Sequence, residues 1–167
     1  SATVSQPTFG DKLDAVKKEM NDWPLFWACF IALVAAGQGF ASRLEIMGTW
    51  RSEFGFSFGQ AGVVLGAGLV GFFWAIPIMG VVIEAINYKF GVIVALICHV
   101  VSAYMVWIAA DVYAGQNTEA VFQHLYWSMF IFAFANGTWE AVMNPAVAAQ
   151  VSDEKQIGKW MCWLHMG

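Results

Sequence analysis

The chain has 167 residues, 59% of them hydrophobic and only 12% charged, with a formal net charge of −4. Soluble domains carry about 25% charged residues, so this deficit and the long apolar runs place the chain in the membrane class. No basic cluster suits nucleic acid, and no HExxH, GxSxG, Walker loop or grouped metal ligands point to catalysis.

Ser1 to Thr8 is polar, and the stretch after it is charged where a signal peptide would be apolar. From Phe9 to Asp22, Phe9, Leu13, Val16 and Met20 recur at helical spacing among Lys12, Lys17, Lys18 and Glu19. This predicts a short amphipathic helix on a membrane surface. Four spans follow, at about 24–42, 58–83, 90–110 and 124–150. Each is near or above the roughly 20 residues needed to cross a bilayer. Pro24 suits a first helical turn, and Trp23 and Trp27 suit an interface. Arg43 and Glu45 blur the end of the first span. The expected organisation is a cytoplasmic segment at 1–22, a four-helix transmembrane domain at 23–150, and a cytoplasmic loop opening a fifth helix at 151–167. The expected fold is therefore all-α, a polytopic membrane helical bundle of four transmembrane helices with an N-terminal amphipathic surface helix.

Orientation follows from the cations. With the N-terminus inside, Lys12, Lys17, Lys18, Lys89, Lys155 and Lys159 are cytoplasmic, against Arg43 and Arg51 outside. Six against two predicts a cytoplasmic N-terminus in the inner, cytoplasmic membrane. The second span holds Gly59, Gly62, Gly66, Gly68 and Gly71, with Gly62 and Gly66 forming a GxxxG. Glycines let a neighbouring helix approach closely in lipid. Pro77 and Pro145 each free a carbonyl and are candidate kinks.

The fourth span carries Glu140 near its middle. A carboxylate there costs roughly 2.5–3.5 kcal/mol on insertion scales, so it usually faces a bundle interior or a water-filled cavity. Asn136, Glu140 and Asn144 are spaced i, i+4, i+8 and share one helical face. They are candidates to bind a polar solute, with Glu140 as proton site or hydrogen-bond acceptor. The alternative is that the two asparagines simply pair with Glu140 to fix helix packing. Gln38, between Gly37 and Gly39, is a fourth candidate, facing a cavity or another helix. Trp139 is a candidate for stacking on a sugar ring, though aromatic residues make up 16% of the chain and lipid-facing placement is commoner. Cys29, Cys98 and Cys162 lie far apart, without a CxxC pair, and the first two read as small packing residues.

Two segments resemble a known family. Gly80-Val-Val-Ile-Glu84-Ala-Ile-Asn87-Tyr88-Lys89 is similar to the loop motif G-x-L-A-D-R-x-G-R-R of the major facilitator superfamily. Gly80 takes the first glycine position, Glu84 the acidic one and Lys89 the last basic one. Ala85, Asn87 and Tyr88 depart from it. The resemblance implies that Glu84 and Lys89 form a gating latch. Asn136-Gly-Thr-Trp-Glu140-Ala-Val-Met-Asn144-Pro145 resembles helix four of the fucose-permease-like sugar transporters of that superfamily. Trp163-Leu-His165 and the run from Arg51 to Gly62 resemble their approaches to helices five and two. Where those symporters place an Asp near the outer end of helix one, this chain has Leu44, with Glu45 about 100° round the helix. Their kind of proton coupling is therefore not implied. Separately, Ala95 and His99 resemble the small-xxx-His pattern that ligates chlorophyll in light-harvesting polypeptides, which implies a pigment at His99. The plainer expectation for His99 is an interhelical hydrogen bond, and His124 needs no special role.

Two functions are thus expected. One is the N-terminal part of a permease that carries a sugar-like or other small polar solute by alternating access. The other is a non-transporting transmembrane subunit of a larger respiratory or photosynthetic complex. Superfamily members have twelve spans, so a chain that truly ends at residue 167 would favour partner membrane subunits over transport.

Overall fold

The computed structural model describes residues 9–166, so the polar lead Ser1–Thr8 lies outside the described residues. α1 (Phe9–Lys17) is the amphipathic lead, and α2 (Trp23–Phe54), α3 (Phe58–Ala85) and α4 (Tyr88–Trp107) follow it. The short α5 (Ala109–Tyr113) leads into α6 (Thr118–Ala148), and a 3-10 turn at Glu154–Gln156 leads into α7 (Ile157–Leu164). No strand occurs among the described residues beyond one isolated antiparallel pairing of Met20 with Val151.

The boundaries follow local chemistry. α1 stops at Lys17, short of the predicted Asp22, because Trp23 donates its indole N–H to the Lys17 carbonyl at 3.1 Å. Asp22 accepts from the Leu25 N–H at 2.9 Å and so opens α2. α2 does not end near Ser42 but runs 32 residues, about 48 Å at 1.5 Å each. Nothing between Ser42 and Phe54 breaks a helix, and Arg43 bonds back to the Gly39 carbonyl at 3.1 Å. Gly55, at φ +73°, supplies the left-handed residue that terminates it. Ser57 and Gln60 then form a reciprocal capping box at the start of α3. Asn87 accepts from the Phe90 N–H to cap α4, and Asn117 accepts from the Ala120 N–H ahead of α6.

α2, α3 and α4 are each long and apolar enough to cross a membrane. In their most apolar stretches only 11%, 33% and 17% of residues are buried within the chain. Large side chains such as Ile31, Leu69, Phe73 and Val100 stay exposed. That is the surface an apolar solvent accepts and water does not. α6 differs from the predicted fourth span. It is a single helix of 31 residues, yet it is not among the helices apolar enough to cross by composition. Asn136, Glu140 and Asn144 lower its hydropathy, and the chain itself covers much of it.

The chain forms two compact units. In the first, residues up to Val34 join those from Asn144 onward. The Asn21 N–H donates to the Gln150 carbonyl at 2.8 Å and the Ser152 N–H to the Glu19 carbonyl at 2.9 Å. Lys159 pairs with Glu19. Trp160 sits edge-on to both Trp23 and Phe26, with ring centroids 5.3 Å apart in each case.

The second unit is Ala35–Met143. Its α6 is central, because α2, α3 and α4 all pack on it. A Cβ added at Gly71 of α3 would lie 2.3 Å from the Phe130 carbonyl oxygen of α6. One added at Gly137 of α6 would lie 2.9 Å from the Phe72 carbonyl oxygen of α3. The two backbones therefore touch, as small residues allow. Gly68 also packs on α6, against Met129. Gly62 and Gly66, the predicted packing pair, have nothing within 4 Å of an added Cβ. The close approach belongs to Gly68 and Gly71, two and five residues beyond Gly66.

Candidate functional site

The sequence candidates divide between the units. Asn136 and Glu140 lie on α6 in the second unit, and the helix runs unbroken through them. Asn136 is buried at 8% exposure, and its Oδ1 has no hydrogen-bond partner. A buried acceptor left unmade costs about 1–3 kcal/mol. Glu140 is half-buried one turn further along. Asn144 belongs to the first unit, where its Oδ1 lies 3.1 Å from the His165 Nε2 at the end of α7. Gln38 is exposed, and among the described residues its side chain makes no hydrogen bond. The reason is angular: Gly39 is the residue of α2 that meets Phe132 of α6, and its neighbour points about 100° away.

Glu84 and Lys89 flank the tight turn between α3 and α4. Both are exposed, and among the described residues no ion pair joins them. His99 is half-buried and meets Phe132 edge-on, with ring centroids 5.4 Å apart, instead of making the interhelical hydrogen bond expected of it. That bond is made by His124, whose Nε2 lies 2.7 Å from the Met105 carbonyl oxygen of α4. Trp139 is half-buried.

Sequence reasoning missed a second polar cluster. Ser102 of α4 and Ser128 of α6 are 0% and 1% exposed. The Ser102 hydroxyl donates to the Ser128 carbonyl at 2.8 Å, and the Ser128 hydroxyl donates to the Ser102 carbonyl at 3.0 Å. Arg43 of α2 donates to the Ser102 hydroxyl at 2.9 Å and lies 3.7 Å from the centroid of Phe132. The signal was available: an arginine at the end of an apolar run, and a lone serine in each of two facing helices. Nothing in the sequence says that these three meet.

The chain matches no protein-family model, no curated protein and no solved structure. The likeness to the major facilitator segments therefore rests on the quoted residues alone.

Proposed function

We propose that the chain is part of a membrane permease that passes a small, sugar-like polar solute, related to the N-terminal half of the major facilitator transporters. The observation that carries this reading is Asn136. It is a buried amide with an unpartnered carbonyl, one turn from a half-buried carboxylate, on the helix against which α2, α3 and α4 pack. A bound solute hydroxyl would satisfy that oxygen. On this reading Asn136 and Glu140 bind the solute, Gln38 borders the path, and Glu84 and Lys89 meet helices of the remaining fold.

The reading includes a fourth crossing by α6, and connectivity supports it. Met20 precedes α2 and Val151 follows α6, yet the two pair side by side. Two segments on one side of a bilayer are joined by an even number of crossings. The helices α2, α3 and α4 give three, and α6 gives the fourth. Its polar face is tolerable in that position because it is covered by protein instead of lipid.

The test is uptake by cells expressing the full gene. Glu140→Gln abolishes uptake or its pH dependence while the protein stays folded. Unchanged uptake at every pH removes Glu140 from the mechanism. The largely exposed apolar faces of α2 and α4 favour a second reading, a non-transporting subunit whose helices are covered by partners. Intact mass from native membranes separates the two. A single chain well above 18.4 kDa without stable partners fits the permease. A stable assembly of several membrane subunits fits the alternative.

A further inference from the structure

Arg43 is a cation without an anion. Its guanidinium has five N–H donors, and the hydrogen bonds it makes go to two neutral oxygens, the Gly39 carbonyl and the Ser102 hydroxyl. Its Nε is buried with no partner. Among the described residues no carboxylate pairs with it; the ion pairs there are Lys17 with Asp14 and Lys159 with Glu19. An arginine in apolar surroundings is costly, and such groups usually pair.

The surroundings are built to hold the fork still. Gly39 lacks the Cβ that would lie 2.9 Å from the Phe132 ring, so the ring rises beneath the guanidinium. Because the Ser102 hydroxyl gives its hydrogen to Ser128, its oxygen is left to accept from Arg43. His99 touches the same Phe132 ring from α4. The cluster offers donors and π-surface and no acid. It is also shallow. Ser102 lies five residues before Trp107, about 8 Å along α4, and the Trp107 indole is 81% exposed at the helix end. Arg43 is half-buried, so part of its side chain is open to the surroundings. A lipid phosphate would draw the arginine outward, whereas here it turns inward onto buried Ser102 and Phe132.

We propose that Arg43 anchors the carboxylate of a small anionic solute, with the Ser102–Ser128 pair holding its guanidinium in place. This rests on the permease reading and narrows it: the solute is an acid, not a neutral sugar. A planar fork grips a carboxylate through two parallel hydrogen bonds, which a lysine cannot reproduce.

The test is the thermal midpoint of the purified full-length protein in phosphatidylcholine nanodiscs. Acetate, lactate and glucuronate are compared with acetamide and glucose at matched ionic strength. At least one carboxylate raises the midpoint of the wild type and the neutral compounds do not. Arg43→Gln removes that shift, and Arg43→Lys, which loses one hydrogen bond to a charged group, weakens the apparent affinity by about tenfold; Arg43→Lys alone decides the matter if Arg43→Gln does not fold. No shift with any carboxylate, or an equal shift in the variants, overturns the proposal. So does stabilisation through Arg43 by added phosphatidylglycerol alone, which would make a lipid headgroup its counterion. Binding is read without flux, so the two readings fail separately. Carboxylate binding with no uptake of any solute removes the permease, and Glu140-dependent uptake of a neutral solute without carboxylate binding removes the anion site.

Discussion

Ser102 and Ser128 show how much a small side chain decides in an apolar interior. Each hydroxyl bonds the other helix's backbone, and together they occupy space that an alanine pair would leave dry. Removing one partner leaves buried polar atoms unmade, which costs about 1–3 kcal/mol. Ser102→Ala also takes an acceptor from Arg43. It should therefore destabilise the protein more than Ser128→Ala, measured as the denaturant midpoint in detergent. Equal effects would mean that the Arg43 bond adds nothing.

At the scale of the helix, the contact between α3 and α6 sets the geometry of the second unit. Gly71 faces backbone, which cannot swing aside as a side chain can. Gly71→Ala therefore pushes two helices apart and should cost about 1–3 kcal/mol, the range for overpacking. Gly62→Ala and Gly66→Ala have open space and should stay within about 0.5 kcal/mol of the wild type. Thermal midpoints of the three variants check this. The GxxxG spacing alone would have predicted the opposite order.

At the scale of the whole chain, pairing of Met20 with Val151 ties the N-terminal segment and the stretch before α7 to one side. The excess of lysines over both segments predicts that this side is the cytoplasm. Cys162 is exposed and Cys29 is buried. In a variant with Cys162 as its sole cysteine, a membrane-impermeant maleimide should label inverted vesicles and leave intact cells unlabelled. Labelling of intact cells would place α7 outside and reverse the orientation.

The amino-acid sequence by itself determined the helical class, the number of long helices and most of their starts. Apolar run length and a first-turn proline such as Pro24 act locally, within a turn or two. It placed Asn136, Glu140 and Asn144 on one helix face, because a 3.6-residue period is a property of one element. The end of α2 was illegible, since Arg43 and Glu45 look like a boundary until Arg43 is seen bonding within its own helix and to α4. Only the tertiary structure decided which glycines touch, which histidine bridges helices, that Gln38 is exposed and that Arg43 meets Ser102 and Phe132. Those outcomes depend on the rotation of one helix against another, and that rotation is set by the summed packing of residues far apart in the chain.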